Sequence, residues 1–289
     1  MINNEWGIST FPAVPGHEVV GRIVAVGSQA KGVEVGQSVG LGWSAESCMH
    51  CRQCMSGDPN LCEQNVPTII GHMGGFADRV RAQWQWVIPL PDELDRADAG
   101  PLLCGGTTVF APFHEYRIRP TDRVGVVGIG GLGHMGLQFA NAWGCEVTAF
   151  TSTDSKADEA RSFGAHHVVN SRSKEELEKI AGSLDLLLVT VNVPLDWQRM
   201  IGTLAPKGRM HVVGAVLKPI PVVAFDLIMA QRSISGSPTA GPVVMAKMLE
   251  FSARHGISPQ TERFPMDQVN EALEHLAAGN ARYRIVLDA

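Results

Sequence analysis

From Arg119 onward, short apolar runs alternate with stretches of helical periodicity, and this constrains the fold more than any other feature of the chain. "RVGVVGIG" precedes "LGHMGLQFANAWG", and "EVTAFTS" precedes "SKADEARSFG". "HHVVN" precedes "SKEELEKIAG", and "LDLLLVTV" precedes "LDWQRMIGTL" and then "GRMHVVG". Strand-then-helix repetition of this kind predicts βαβ units around a parallel sheet. Upstream, residues 1 to about 105 are rich in glycine and in short β-branched runs such as "VVGRIVAVG", "GQSVGLGW" and "RVRAQWQWVIPL". They predict a small, mostly β domain. Trp84 and Trp86 alternate with glutamine there, as residues on one face of a strand would. After Pro242 come a predicted helix, "VVMAKMLEFSARHG", an extended run, "TERFP", a second helix, "MDQVNEALEHLAAG", and a last strand, "YRIVLD".

The first βα junction carries Gly128, Gly130 and Gly133 in a G-x-G-x-x-G pattern, with Gly131 and Leu132 inside it. The bare pattern also occurs in glycine-rich turns that hold nothing. Its meaning comes from closing a strand and opening a helix. The first glycine permits the turn, the second lets backbone approach a pyrophosphate, and the third lets helix pack on strand. Helix N-terminal N–H groups and the macrodipole then favour the anion. An NAD site usually has an acid about 20 residues further on. Here the segment reads "FTSTDSK", with Thr151, Ser152, Thr153 and Lys156, and its one acid, Asp154, is placed to cap the following helix. Hydroxyls and a cation suit a 2′-phosphate, so NADP(H) is favoured over NAD(H).

A second constellation is "ESCMHCRQCMSGDPNLCE", in which Cys48, Cys51, Cys54 and Cys62 follow C-x2-C-x2-C-x7-C spacing. Two-residue gaps turn neighbouring sulfurs toward one centre, and Gly57, Asp58, Pro59 and Asn60 can fold Cys62 back. Four thiolates form a closed tetrahedral zinc site, which stabilises and leaves no place for substrate. Disulfides and unrelated loop thiols are the other readings.

The 289 residues, 45% hydrophobic and 18% charged, suffice for two domains with cores. A formal net charge of −5 without any basic run gives no sign of nucleic-acid binding. "MINNEWGIST" lacks the apolar core of a signal peptide, and no apolar run approaches a membrane span, so a cytoplasmic protein is expected.

Taken together these residues resemble the zinc-dependent medium-chain alcohol dehydrogenases, particularly the cinnamyl alcohol dehydrogenase branch. The likeness runs from "VPGHEVVGRIVAVG" through the cysteine lobe, "GGFAD", "PLLCGGTTVF", "GVVGIGGLGHMG" and "ISGS" to "RYRIVLD". The resemblance implies an α/β protein in which a GroES-like β-domain is completed after an inserted Rossmann domain. Residues 1–105 and 240–289 would form the catalytic domain, with a zinc lobe at 46–63, and residues 106–239 the NADP-binding domain. It further implies that His17 and Cys104 are catalytic zinc ligands and that Glu18 bonds near the metal or enters its coordination. Thr108 would contact the nicotinamide with Leu132 behind it. Main chain at Val213–Gly214 and across Ser235, Gly236 and Ser237 would hold the carboxamide. Thr151, Ser152, Thr153 and Lys156 match the branch's NADP-reading segment, and the four lobe cysteines match its structural zinc site. The implied reaction moves a hydride between NADPH and a primary alcohol or aldehyde, in a homodimer formed near "RSISGSP".

Read alone, His17 is an ordinary surface or core histidine and Cys104 a small buried hydrophobe. Trp43 and Phe110 could line a substrate pocket or simply pack, and Cys145 reads as core. The family usually begins several dozen residues earlier, with a C-x-x-C-H-x-D-like segment that supplies a further zinc ligand; Met1 here lies past it. The matched motifs therefore name two ligands, His17 and Cys104, with Glu18 as a third, and fewer strands in the β-domain are expected. This leaves an alternative, an NADP(H)-binding protein with structural zinc only. A zinc-free reductase of the same superfamily is a third reading, in which "GHE" and "PLLC" are idle.

Overall fold

The computed structural model describes residues 2–289, with the backbone alone described at Asp154. The chain divides into two compact units. One contains the residues up to Thr107 together with Thr239–Ala289; the other is Thr108–Pro238.

The first unit opens with β1 (Val19–Arg22), β2 (Ser38–Leu41) and β3 (Ser44–Glu46), followed by a single helical turn α1 (Arg52–Met55), β4 (Val66–Pro67) and β5 (Val87–Pro89). β1, β2 and β5 form an antiparallel sheet in that order, and β3 pairs antiparallel with β4. Of "VVGRIVAVG" only the first four residues are strand, and Val24 and Val26 beyond them are exposed. The tryptophan stretch also departs from expectation. Trp84–Trp86 is a 3₁₀ turn, and strand begins only at Val87. The reason is tertiary. The Trp86 indole N–H donates to Ser47 Oγ at 3.1 Å, and the Gln83 N–H donates to the Ala45 carbonyl at 2.9 Å. Burying that indole and satisfying its donor outweighs the weak local alternation.

After α2 (Gly105–Glu115) the second unit follows the predicted alternation through β6 (Arg123–Val127), α3 (Gly133–Trp143), β7 (Glu146–Thr151), α4 (Ala157–Ser162), β8 (His167–Asn170), α5 (Lys174–Lys179), β9 (Leu184–Val189), α6 (Trp197–Gly202) and β10 (Leu204–Val212), and then adds one helix and strand that the pattern did not forecast, α7 (Ala224–Ala230) and β11 (Ser233–Gly236). All six strands are parallel, in the order β11-β10-β9-β6-β7-β8. That is a doubly wound nucleotide-binding sheet whose order reverses between β6 and β9. Strands covered on both faces must be apolar on both. Accordingly Val124, Val126, Val147, Ala149, Phe150, Leu186, Leu187, Leu188 and Val189 are all fully buried. Phe110 stacks edge-on against Phe139 and Trp143 at 5.4 and 5.5 Å, which makes it a packing residue. Cys145 is also core: burial, aided by Asp122 and Asp185, pushes its thiol up to about 12.

The chain then returns to the first unit with α8 (Pro242–His255), β12 (Thr261–Pro265), α9 (Val269–Ala277) and β13 (Arg284–Asp288). β12 and β13 pair parallel.

Two close approaches in this unit position His17 and Cys104. The N–H groups of Gly74, Gly75 and Phe76 donate to the carbonyls of Val14, Gly16 and Pro15 at 2.8–2.9 Å, fixing the segment that leads into His17. Near Cys104, a Cβ on Gly42 would lie 2.4 Å from the Leu103 carbonyl oxygen and 2.8 Å from the Met245 methyl. Neither backbone nor buried Leu103 can yield that distance. Gly42→Ala should therefore destabilise the protein by about 1–3 kcal/mol in urea unfolding, whereas Gly27→Ala, with open space at its Cβ, should change it by less than about 0.5 kcal/mol. Equal effects would contradict this packing.

Candidate metal centres and nucleotide site

The cysteine loop brings its four sulfurs into one cluster. Cys62 Sγ lies 3.6 Å from Cys48 Sγ and 3.8 Å from Cys51 Sγ, and Cys48 Sγ lies 3.9 Å from Cys54 Sγ. A disulfide needs about 2.05 Å. The edge of a tetrahedron with zinc–sulfur bonds of about 2.3 Å is about 3.8 Å, so the cluster has zinc's dimensions. Local structure explains the spacing. Cys51 is the N-cap of α1, which carries Cys54 on its buried side, and Met49 takes a left-handed conformation at φ 57° to turn the chain between Cys48 and Cys51. The backbone N–H of Cys51 donates to Cys48 Sγ and that of Gln64 to Cys62 Sγ, both at 3.3 Å. The His50 backbone hydrogen bond leads the causes that bring Cys48 down to about 6. Burial pushes Cys54 up to about 11. Four packed sulfurs cannot all ionise without a cation among them, and a zinc ion would suit such a donor set.

The second cluster unites His17, Glu18 and Cys104, with one donor atom from each within 4.8 Å of the others. Burial is the largest cause that pulls His17 below its usual value, favouring the neutral ring that binds metals. Trp43 packs edge-on against it at 5.1 Å. Glu18 is satisfied at both oxygens. Oε1 accepts the Gly105 backbone N–H at 3.1 Å, and Oε2 accepts the Arg284 guanidinium. Arg284, in β13, carries a role that sequence reasoning did not assign; "RYRIVLD" was its only signal. A carboxylate has about four lone-pair sites, so Glu18 can keep both partners and still offer one to a metal. The donor set of one nitrogen, one sulfur and one oxygen fits zinc and resembles catalytic rather than closed sites.

In the second unit the glycine loop joins the end of β6 to the start of α3. Gly128 has φ 90°, and a Cβ there would meet Val191 at 2.3 Å. A Cβ on Gly133 would lie 1.7 Å from the Gly128 carbonyl oxygen. Thr190, at the end of β9, donates its hydroxyl to the carbonyls of Val127 and Gly128 at 2.8 and 2.9 Å. The loop thus sits at the strand-order reversal, at the carboxyl ends of the strands, where such sheets bind ligands. Lys156 donates to the Ile129 carbonyl at 3.0 Å, tying the segment after β7 to the loop. Ser152 and Thr153 are exposed, whereas Thr151 is buried and turns its hydroxyl onto the Thr153 backbone. The Asp154 side chain lies outside the described residues, and the N-cap of α4 is Lys156. Gly130 has open space at its Cβ, as a backbone approach requires. Gly131 and Leu132 are half-buried, Leu132 as the N-cap of α3, and Thr108 is buried in α2.

At the same carboxyl ends of the strands, the N–H groups of Val213 and Gly214 both donate to the Val189 carbonyl, at 2.9 and 3.1 Å. Beside them a residue the sequence did not single out, His211, bonds the hydroxyls of Ser235 and Ser237. Only the strand register, which pairs His211 with Ser235, reveals it.

Residues 1–92 match the alcohol dehydrogenase GroES-like domain, and residues 131–254 match the zinc-binding dehydrogenase family. The chain is 53% identical to an aldehyde reductase of Synechocystis sp., over 99% of this chain and 85% of that protein. A cinnamyl alcohol dehydrogenase of Sorghum bicolor superposes with a TM-score of 0.95 at 35% identity, covering 100% of this chain and 85% of that one. The structure of CAD from Helicobacter pylori complexed with NADP(H) superposes with a TM-score of 0.86 at 28% identity, covering 97% and 83%.

The cysteine cluster makes a stability prediction. Cys54→Ser should lower the melting temperature and abolish the further drop that a zinc chelator causes in the parent protein; an unchanged melting temperature would contradict a structural metal. His211 makes a pH prediction. Burial, then the Arg209 charge, brings it down to about 4, so the unfolded chain binds its proton first as pH falls below about 6.5. Its contribution is present above that pH and lost toward about pH 4. His211→Leu should flatten the pH dependence of urea stability across that window, and an unchanged slope would contradict the assignment.

Proposed function

The chain belongs to the zinc-dependent medium-chain alcohol dehydrogenases, in their cinnamyl alcohol dehydrogenase-like branch, and on that footing we propose that it is an NADP(H)-dependent, zinc-containing aldehyde reductase acting on a primary alcohol/aldehyde pair. Alcohol–aldehyde oxidoreduction is the activity its relatives support. Residues 1–105 and 240–289 serve as the catalytic domain, and residues 106–239 as the dinucleotide domain. The observation that carries the reading is the convergence of His17 and Glu18, neighbours in sequence, with Cys104 from a segment 86 residues further on, in a chain that also builds a strand-order reversal around a glycine loop.

In the reductive direction aldehyde, NADPH and one proton become alcohol and NADP⁺. His17 and Cys104, with Glu18 as third donor, would hold a zinc ion, which would supply Lewis acidity toward a carbonyl oxygen. A bound nicotinamide would supply the hydride, and the protein supplies position and electrostatics. Buried His17 presents an uncharged nitrogen. Arg284 balances the Glu18 carboxylate, so the cluster does not accumulate negative charge. Gly128, Gly130, Gly131, Leu132 and Gly133 cradle the pyrophosphate, and Ser152, Thr153 and Lys156 receive the 2′-phosphate, with Thr151 shaping their loop. Thr108, Val213, Gly214 and the backbone of Ser235, Gly236 and Ser237 orient the nicotinamide. Cys48, Cys51, Cys54 and Cys62 hold a second, structural zinc. Exposed Phe225, Ile228 and Met229 on α7, with the uncovered strand β11, support a homodimer. No helix among the described residues is long and apolar enough to cross a membrane.

One observation favours the second reading, a dinucleotide-binding protein with structural zinc alone. Glu18, the third donor, already holds two partners. His17→Ala separates the two. On the catalytic reading, NADPH-dependent aldehyde reduction falls by about a hundredfold or more while NADPH affinity is retained. Parent protein that binds NADPH but reduces no aldehyde supports the second reading. Cofactor choice has its own test. Lys156→Ala with Ser152→Asp should shift the NADPH-over-NADH preference by about tenfold or more, the value of charge-assisted hydrogen bonds. An unmoved preference would contradict the phosphate pocket.

A further inference from the structure

β11 is the edge strand of the parallel sheet and is held by β10 alone among the described strands. Their ladder runs from Arg209–Ser233 to Val212–Gly236 and stops. Ser237, the next residue, lies beyond it. What holds Ser237 is a side chain: His211 Nε2 lies 3.0 Å from Ser237 Oγ, while Nδ1 lies 2.9 Å from Ser235 Oγ. Residues 235 and 237 point to one face of the strand because side chains alternate, and His211 is the register partner of Ser235 on that face. One imidazole therefore grips the strand at two successive positions, the second past the end of the backbone ladder.

The chemistry matches. His211 is fully buried, and burial with the nearby Arg209 charge keeps its ring neutral. A neutral imidazole has one N–H and one lone pair, and a serine hydroxyl can donate or accept. One serine thus accepts and the other donates, and both ring nitrogens are satisfied. Tyr116 closes the ring's other side at 5.2 Å, and the Arg209 guanidinium lies 3.9 Å over that tyrosine. The imidazole can scarcely rotate, so the two serines are fixed relative to β10. They stand at the carboxyl end of the edge strand, the side of the sheet that receives ligands.

We infer that His211 is a positioning residue of the dinucleotide site, setting the backbone path over Ser235–Ser237 and through it the orientation of the nicotinamide end. This rests on the proposed function, in which this backbone holds the carboxamide.

The test compares two ligands that differ only at the nicotinamide, NADPH and 2′-phospho-ADP-ribose, by calorimetric titration. If the parent protein prefers NADH, the pair is NADH and ADP-ribose. His211→Leu should weaken the intact dinucleotide about tenfold and leave the fragment within about twofold, as expected for loss of two oriented hydrogen bonds. Ser237→Ala, which removes only the bond beyond the ladder from a half-buried site and so spares the core, should weaken the dinucleotide by about threefold with the fragment again unmoved. Equal losses for both ligands would show a general structural role and overturn the inference, as would no loss for either. Parent protein that binds the dinucleotide no more tightly than the fragment would overturn the carboxamide reading itself, before any variant is made, and the inference with it.

Discussion

A carboxylate held between a guanidinium and a backbone N–H is the tie on which the first unit depends. Glu18 follows His17 just ahead of β1, Gly105 follows Cys104, and Arg284 lies in the last strand. One side chain thus joins both candidate donors to the segment that returns after the dinucleotide unit. Neither ion is fully exposed: the side chains of Arg284 and Glu18 are 23% and 16% accessible. Removing one partner of such a pair leaves the other charge buried and uncompensated, which costs far more than losing a surface pair. The tie constrains geometry as well as charge, because both carboxylate oxygens are used and the group cannot swing.

The two candidate metal clusters follow different logics. Four sulfurs in one short loop make a closed shell, and the local turn at Met49 with the α1 N-terminus is enough to build it. The pair His17 and Glu18 meets Cys104 from a distant segment and depends on tertiary packing, through the backbone contacts of Gly74, Gly75 and Phe76 and the narrow fit of Gly42 against Leu103. The nucleotide site resembles the second case, because Thr190, from a different strand, anchors the glycine loop.

Features encoded over a few consecutive residues were legible in the sequence. The βα alternation forecast five of the six parallel strands, β6 to β10, because a strand covered on both faces is apolar along its buried length, as Leu186, Leu187, Leu188 and Val189 are. The cysteine spacing and glycine loop were legible for the same reason. Trp84–Trp86 misled because the docking of one indole onto Ser47 outweighed a two-residue alternation. The short strands of the first unit were overread for a related reason: in "VVGRIVAVG" composition favours strand beyond Arg22, but Val24 and Val26 stay exposed. Arg284 and His211 were invisible because their partners lie 266 residues away for Arg284, and 24 and 26 for His211, and only the tertiary structure brings them together.

The central proposal is that the chain holds two zinc ions in sites of different kinds, one in each donor cluster. The most direct measurement is zinc per chain, by elemental analysis of protein purified without chelator, loaded with zinc and desalted. The account predicts about two, one released slowly from the four thiolates and one exchanged readily from the three-donor site. A value near one, unchanged by His17→Ala, would contradict it and leave the thiolate cluster as the sole metal site.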